Sequence, residues 1–427
     1  MKDWYCANPF LVANVVQGGQ VHACCVTWLQ EGAGRFGTLD KESLLDVWNN
    51  DVARDFRRTI VDGSYSYCRK DECPVYGLPE ADIRVYEDGR FAGEIEKWRA
   101  DESHVVRPVA LSLQYDETCN LSCASCRSDV QMATGDEVRA IQVIHDNVFG
   151  GEIRPEKIRL NGAGEALISP VFKKFLMDFD DERLSDVRLC LITNGTTLSE
   201  KVYERMGARD ALEEISVSID AGSREVFEEV RRGGLWDTLV RNVDFYARLL
   251  AEGRIKRLEA SFTLQQRNYR DLYNFFEFCS SRGLSGMRLN TLGAWGEYAK
   301  PEAFRRHAVH LPDHPEFGEL RRVLLDPRFT AQKHVYYSGV FDDIRNYPED
   351  ELRHKTLVGA NDEIDRLRRE ARQLHEILES RSYRYLAHPA MRLSASLRKV
   401  PGLDLLRPVA RALLPRPRST PPRRGDG

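Results

Sequence analysis

The chain has 427 residues, of which 42% are apolar and 30% charged, and this length suits a large domain with smaller appendages. Its formal net charge of −4 is close to neutral, so composition alone favours no strongly charged partner. No apolar stretch is long enough to cross a membrane, and the first residues lack a signal-peptide pattern. We therefore expect a cytoplasmic protein.

The ten cysteines are unevenly distributed, because eight of them precede residue 127 in two groups. The cytosol keeps thiols reduced, so clustered cysteines there indicate metal binding or redox chemistry rather than disulfides. Cys190 and Cys279 stand alone, and each is expected to be a small buried apolar side chain.

Residues 1–100 are irregular and rich in cysteine. Within these residues we predict two strands joined by a glycine-rich turn, followed by a short amphipathic helix. A loop with two further cysteines closes the region. The predicted strands are residues 11–16 and 21–26, the turn is residues 17–20, the helix lies around residues 44–48, and the loop cysteines are Cys68 and Cys73.

Residues 105–310 alternate strand and helix patterns, which indicates parallel βα units. Six such units predict an α/β fold, a partial (β/α)6 TIM-like barrel, whose site lies at the carboxyl ends of the strands. The predicted strands are residues 109–113, 157–160, 187–192, 215–219, 258–264 and 287–289, and predicted helices include residues 138–148, 171–177 and 235–250.

Residues 311–344 form a connecting segment on the substrate side, and residues 345–427 form a helical tail. A charged helix, in the form of a short coiled coil, is predicted around residues 364–378. Residues 381–427 carry eleven Lys or Arg against two Asp and end in a Pro- and Arg-rich stretch. This tail suggests contact with an anionic membrane surface or a partner protein, and the first of these would place the cytoplasmic protein at the membrane periphery; a solvated, disordered end is the alternative.

Three cysteines, Cys119, Cys123 and Cys126, follow the first barrel strand at spacings of four and three positions. Thiolates at such short intervals bind iron–sulfur clusters. Three ligands on a four-iron cluster leave one iron without a protein ligand, and an open position marks a catalytic metal site. The alternative is a zinc knot, but no fourth Cys or His follows within the next dozen residues.

This C-x3-C-x2-C spacing resembles the hallmark of the radical S-adenosylmethionine (SAM) superfamily. Residues 161–167, Asn-Gly-Ala-Gly-Glu-Ala-Leu, are similar to the family's Gly-Gly-Glu-Pro segment, which contacts the amino group of SAM. Residues 193–195 and 216–221 are similar to family elements near the SAM pocket, and the latter hold two candidates for binding the ribose hydroxyls, Ser218 and Asp220. The predicted SAM-binding residues are Ala163, Gly164, Glu165, Asn194, Ser218 and Asp220.

Three positions depart from the family pattern. Ser125 stands where the family usually has an aromatic residue near the adenine. Ala163 and Ala166 replace the first glycine and the proline of the second motif. These departures affect individual SAM contacts and leave the cluster ligands unchanged.

The resemblance implies that a reduced [4Fe–4S] cluster donates an electron to SAM, the C5′–S bond breaks, and a 5′-deoxyadenosyl radical abstracts a substrate hydrogen. It also implies a reducing electron donor of the flavodoxin or ferredoxin type. The first step requires no general acid or base, so we nominate no catalytic side chain.

The beginning of the chain resembles a SPASM domain, the auxiliary iron–sulfur module of many radical SAM enzymes. The resemblance rests on the spacing of Cys6, Gly19 and Cys24 and on the helical segment 37–50. The module usually follows the barrel, whereas here it precedes it, and the cysteines are too few for two auxiliary clusters. The resemblance implies one auxiliary [4Fe–4S] cluster, with the predicted ligands Cys6, Cys24, Cys68 and Cys73.

Only one of Cys24 and Cys25 is expected to be a ligand, because neighbouring residues on a strand face opposite ways. The glycine spacing favours Cys24, and Cys25 is the alternative. A four-thiolate zinc site is the alternative to the cluster. A cluster with four thiolate ligands has no open iron, so we expect it to transfer electrons rather than bind substrate.

The sequence therefore predicts an enzyme that modifies a C–H position of a peptide or sugar/glycan substrate. Enzymes with related modules act mostly on peptides and proteins, and some act on aminosugars. The alternative is a non-catalytic iron–sulfur or zinc protein that keeps the fold for binding or sensing. Methyl transfer to RNA ranks last and no nucleic acid partner is expected, because the basic residues concentrate in the tail.

Overall fold

The computed structural model describes residues 6–70, 73, 76, 90–160, 163–180 and 182–348. Residues up to 348 belong to one compact unit. The predicted charged helix and basic tail beyond residue 348 lie outside the described residues, as do Asn161 and Gly162. Within the described part of the chain, no helix is both long and apolar enough to span a bilayer.

One ten-stranded sheet organises the fold, and its strand order is β10-β9-β8-β7-β6-β5-β4-β1-β2-β3. Strands β4 to β9 are parallel and correspond to the six predicted barrel strands. The strands are β1 Val12–Val16, β2 Gln20–His22, β3 Arg35–Thr38, β4 Ala110–Leu113, β5 Lys157–Leu160, β6 Arg188–Thr193, β7 Leu212–Ser218, β8 Arg257–Leu264, β9 Gly286–Thr291 and β10 Val335–Tyr337.

Helices connect the parallel strands, as the alternating sequence pattern predicts. The helices are α1 Asn8–Leu11, α2 Leu44–Trp48, α3 Asp51–Val61, α4 Arg90–Ala100, α5 Gly135–Phe149, α6 Pro170–Met177, α7 Glu200–Tyr203, α8 Arg224–Val230, α9 Trp236–Ala251, α10 Leu272–Ser280, α11 Pro301–His307, α12 Phe317–Leu325, α13 Pro327–Thr330 and α14 Gly339–Asn346.

The helices pack on the apolar face of the sheet. Phe262 of β8 lies with its ring centroid 5.0 Å from that of Phe275 in α10. A Cβ added to Gly195 would meet both Val217 of β7 and Leu239 of α9, so this helix also covers the same face. Successive strand residues point to opposite faces, so the alternate residues form a second face that is polar.

The cysteine-rich N-terminal region joins the barrel sheet, because β1 pairs in parallel with β4. The predicted second strand, residues 21–26, is shorter than expected, since β2 ends at His22. The chain bends at Ala23 and Cys24, where the Ala23 N–H donates to the Gly34 carbonyl at 2.9 Å. Strands β3 and β10 were not predicted, and β10 lies inside the predicted connecting segment.

Arg57 of α3 forms the centre of the N-terminal region and is fully buried. Its Nε donates to the Pro9 carbonyl at 2.9 Å, and its guanidinium lies 5.1 Å from the ring centroid of Trp48. Phe10 and Phe36 also lie within 6 Å of it. Both Nη atoms have no hydrogen-bond partner among the described residues, so the aromatic rings compensate its charge.

We expect Arg57→Ala to lower the free energy of unfolding by about 3 kcal/mol, because it removes these ring contacts and leaves a buried cavity. Arg58→Ala is the matched control. Arg58 is adjacent but about half exposed, and its ion pairs with Asp55 and Glu102 lie at the surface, so its loss is expected to cost less than about 1 kcal/mol. Anaerobic urea unfolding followed by tryptophan fluorescence measures both variants, and equal effects would contradict this account of Arg57.

Candidate metal centre

The loop after β4 presents the three cysteines of the C-x3-C-x2-C motif. Cys119 and Cys123 are buried, whereas Cys126 is exposed. The Cys119 N–H donates to the Gln131 carbonyl at 2.8 Å, and the Cys126 N–H donates to the Cys123 carbonyl at 2.9 Å. The Leu121 N–H points to the Cys119 Sγ at 3.5 Å, which stabilises a thiolate there.

Residues 163–165 pack directly on this loop. A Cβ on Gly164 would lie 2.2 Å from the Thr118 carbonyl oxygen, so only glycine fits without a backbone shift. The Glu165 N–H donates to the same carbonyl at 2.7 Å. Arg127 donates to the carbonyls of Glu117 and Ala163 and lies 3.5 Å from the Cys126 Sγ. The predicted SAM-binding segment and the cysteine loop therefore form one unit.

Glu165 is buried and connects the ends of β5 and β6. Its Oε1 accepts from the hydroxyls of Thr193 at 2.8 Å and Thr197 at 2.6 Å, and its Oε2 accepts from the Asn194 N–H at 2.7 Å. Burial raises the pKa of Glu165, and these donors oppose that rise. A carboxylate has about four acceptor positions, so one remains for an ammonium group.

Asn194 lies beside the cysteine loop, as the sequence predicts for a residue of the SAM pocket. Its Nδ2 donates to the Asn120 Oδ1 at 2.9 Å and lies 4.0 Å from the Cys119 Sγ. Its Oδ1 accepts from the N–H and the hydroxyl of Thr196, which fixes the side chain. The amide is therefore oriented toward the metal loop.

Ser218 and Asp220 lie at the end of β7. Asp220 has a positive φ of 58°, which is uncommon for a residue other than glycine. Its Oδ1 accepts from the Thr263 N–H at 2.7 Å and its Oδ2 from Arg231 at 3.1 Å. Arg231 also donates to the Ser218 carbonyl at 2.6 Å. Both predicted ribose-binding residues therefore accept hydrogen bonds from Arg231.

Arg231 is a residue of this site that the sequence analysis missed. Its side chain is 12% exposed, and its Nε has no hydrogen-bond partner among the residues that the structure describes. Burial alone lowers the pKa of Arg231, but the charges of Cys123 and Asp220 outweigh burial and raise it. It lies just after α8, where neither periodicity nor motif marks it in the sequence.

The residues of the loop fit an iron–sulfur cluster. Cys119 and Cys123 have pKa values that burial raises, so their thiolates need a metal or a cation nearby. Arg127 and Arg231 supply positive charge on two sides, and the orphaned Nε of Arg231 calls for an anionic group. Three thiolates with this compensation would hold a four-iron cluster.

The second cysteine group lies in the N-terminal region. Four cysteines line one cavity with Asn8, Phe56 and Tyr65, and Cys25 is not among its lining residues. Cys25 is exposed instead, with its Sγ 3.2 Å from the Thr27 hydroxyl. The Asn8 side-chain amide points to the Cys24 Sγ at 3.7 Å. The four cysteines of the cavity are Cys6, Cys24, Cys68 and Cys73.

This cavity suits a bound metal group better than free thiols. Burial, together with the charges of neighbouring cysteines, raises the pKa of Cys6 to about 12 and that of Cys68 to about 11. Metal binding displaces thiol protons, so iron would supply the missing positive charge. Among the described residues, no group of three His, Cys, Asp or Glu side chains has the arrangement that a single metal ion needs.

Cys190 and Cys279 are both buried away from these groups, at 3% and 0% exposure. Cys279 lies in α10, whereas Cys190 lies in β6 in register with Arg159 and Glu214 of the neighbouring strands. Their positions agree with the expectation of small buried side chains.

Comparison with known proteins bears on the N-terminal cysteine group. Residues 6–74 match the family model of SPASM, an iron–sulfur cluster-binding domain. The chain is 22% identical over 232 residues to a probable GTP 3′,8-cyclase of Methanothermobacter marburgensis. The aligned stretch covers 54% of this chain and 73% of that protein. These matches agree with the resemblance to the radical SAM superfamily, and the SPASM match lies before the barrel strands.

Two solved structures are also similar to this chain. The crystal structure of Streptococcus suis SuiB bound to precursor peptide SuiA has a TM-score of 0.38 and 12% identity, covering 67% of this chain and 62% of that chain. Native anSMEcpe with bound AdoMet and Kp18Cys peptide has a TM-score of 0.33 and 14% identity, covering 53% of this chain and 63% of that chain. The chain thus spans about three fifths of the solved proteins that it matches.

The matched SPASM domain is an iron–sulfur cluster-binding domain, and SAM is the second cofactor that the resemblance implies. Cys119, Cys123 and Cys126 would hold the cluster that meets SAM, and the cavity cysteines would hold the cluster of the SPASM domain. The assignment of individual ligands and SAM contacts stays a prediction.

Replacing the cavity cysteine and its neighbour separately tests the auxiliary site. We expect Cys24→Ala to lose about half of the bound iron, because one of two clusters would lack a ligand. Cys25→Ala is the matched control and should keep full iron, since Cys25 is exposed and outside the cavity. Iron and sulfide analysis after anaerobic reconstitution measures both, and loss in Cys25→Ala alone would reverse the assignment.

Proposed function

We propose that this enzyme removes a hydrogen atom from a C–H position of a peptide or glycan substrate. When bound, the [4Fe–4S] cluster supplies the electron that cleaves SAM to a 5′-deoxyadenosyl radical. The observation that carries the proposal is the unit formed by the three loop cysteines, the Gly164 segment and the orphaned Nε of Arg231.

The chain's own residues would bind and orient SAM. Glu165 has an acceptor position left on its carboxylate, which suits the amino group of the methionyl part. Arg231 offers a buried N–H donor and a positive charge, which suits the carboxylate of the same part. Asn194 and Asp220 are held by their own hydrogen bonds, so they would position these two groups rather than move during the reaction.

Burial of the site would protect the reaction from water. Cys119 and Cys123 are 8% and 6% exposed, and Glu165 is 1% exposed. A radical reaction requires exclusion of solvent and oxygen, which a buried site provides. The exposed Cys126 marks the side from which substrate would approach.

The SPASM cavity supports a role in electron transfer. Its four cysteines would complete the ligand set of a cluster, and such a cluster would have no iron open to a substrate. A reducing donor of the flavodoxin or ferredoxin type would supply electrons to the enzyme. A cytoplasmic location, with the basic tail at a membrane surface or a partner protein, stays a prediction from sequence.

The names of similar proteins do not decide between a peptide and a glycan substrate. The relative from Methanothermobacter marburgensis is named for GTP, a nucleotide, and the SuiB structure is named for a bound precursor peptide. The proposal therefore specifies the reaction class and leaves the choice between peptide and glycan to experiment.

We expect the anaerobically reconstituted, dithionite-reduced enzyme to form 5′-deoxyadenosine from SAM. The triple variant Cys119/Cys123/Cys126→Ala should form none, because it cannot hold the cluster that meets SAM. Cys279→Ala is the control and should retain activity, since Cys279 is buried in α10 away from the site. Liquid chromatography of the nucleoside product measures all three proteins.

The opposite result would favour the non-catalytic alternative. An iron-loaded, reduced enzyme that neither binds nor cleaves SAM would contradict the proposal. Zinc in place of iron at both cysteine groups would contradict it as well. Circular dichroism of the triple variant verifies that a loss of product does not reflect unfolding.

A further inference from the structure

Asn8 is the first residue of α1 and lines the cavity of the four N-terminal cysteines. It is half-buried, and its carbonyl accepts from the Val12 N–H just after the same helix. Pro9 follows it directly and restricts the backbone conformation of both residues. The backbone of Asn8 is therefore held in place beside the cavity.

Two donors of Asn8 reach two different cysteines. Its side-chain Nδ2 donates to the Cys24 Sγ at 3.7 Å, and its backbone N–H is hydrogen-bonded to the Cys6 thiol. Burial raises the pKa of both thiols, and in each case the hydrogen bond from Asn8 opposes this rise. Asn8 therefore stabilises negative charge on the sulfur atoms of two predicted ligands.

The rest of the cavity offers little compensation for negative charge. Among the lining residues that the structure describes, Asn8 contributes the only side-chain amide, and none is Lys, Arg or His. Apolar side chains such as Leu29, Phe56 and Ile60 form much of the remaining lining. The charge of Lys70 acts on Cys68 from outside this lining. Hydrogen bonds, rather than a cation in the lining, would therefore compensate a cluster in this cavity.

The direction in which such hydrogen bonds act follows from the charge of the cluster. Reduction adds one negative charge to a cluster that four thiolates already make anionic. Apolar surroundings disfavour the more negative, reduced state and so lower the reduction potential. Hydrogen bonds to the ligand sulfurs stabilise the reduced state and raise the potential. A donor at Cys24 is therefore expected to make the cluster easier to reduce.

We propose that Asn8 is a positioning residue that raises the reduction potential of the auxiliary cluster through its hydrogen bond to Cys24. The cluster would then accept an electron in a cavity whose apolar lining opposes reduction. This proposal rests on the proposed function, in which the SPASM cluster transfers electrons, and it names the residue that sets the potential for that transfer. In this role Asn8 neither binds iron nor contacts substrate.

Two substitutions of similar size separate the donor from the shape of the side chain. Asn8→Leu removes the donor without adding charge, and Asn8→Asp replaces the donor with a carboxylate oxygen beside Cys24. We expect the reduction potential of the auxiliary cluster to fall in the order wild type, Asn8→Leu, Asn8→Asp. At a fixed potential, Asn8→Leu should lower the ratio of reduced to oxidised cluster about tenfold, which corresponds to about 59 mV for a one-electron couple.

Redox titration of the reconstituted holoenzyme, followed by electron paramagnetic resonance, measures these potentials. The auxiliary signal is the one that a Cys126→Ala variant retains. Asn50→Ala is the matched control, because Asn50 caps α3 through the Ala53 N–H at 3.0 Å and donates to the Phe36 carbonyl at 2.8 Å, but does not line the cavity. It should lower the free energy of unfolding and leave the potential unchanged.

A fall in the predicted order, with full iron content and with Asn50→Ala unchanged, supports the proposal. Any other order of the three potentials overturns it, as does an equal fall in Asn50→Ala, because the effect would then be structural. Loss of the auxiliary signal from both Asn8 variants, or its absence from wild type, also overturns it. Formation of 5′-deoxyadenosine by wild type is assayed separately, so a failure of SAM cleavage contradicts the proposed function without altering the order of potentials.

Discussion

The close approach of residues 163–165 to the cysteine loop is the constraint on which the site depends. Gly164 has no room for a side chain against the Thr118 carbonyl, and Glu165 bonds to the same carbonyl. Arg127 then bridges the loop to Ala163. Because the end of β5 and the loop after β4 are fixed in this way, the metal ligands and the predicted SAM contacts share one rigid support.

Charge compensation by Arg231 links the cysteine loop to the end of β7. Arg231 holds Asp220 and the Ser218 carbonyl while its Nε remains available for an anionic group. In the N-terminal region, four cysteines line a second cavity, and the nearby helix α3 holds the fully buried Arg57 among aromatic rings. Since β1 pairs with β4, the two sites belong to one sheet rather than to two loosely joined domains.

Local patterns in the sequence predicted the parallel strands, because strand periodicity depends on neighbouring residues. The cysteine motif is likewise a local pattern that can be read directly. The β1–β4 pairing and the short strand β10 were missed, since they depend on residues far apart in the chain. Arg231 was missed for the same reason. The sequence analysis compared Cys24 and Cys25 as neighbours on a strand. In the fold, Cys24 is buried and lines the cavity, whereas Cys25 is exposed.

The central claim is that the enzyme holds two clusters and that only one of them meets SAM. Electron paramagnetic resonance of the reduced holoenzyme, recorded with and without SAM, tests it most directly. We predict two overlapping cluster signals, of which SAM changes one, and that one is the signal missing from a Cys126→Ala variant. A spectrum that SAM leaves unchanged in the fully iron-loaded wild-type enzyme would contradict the account.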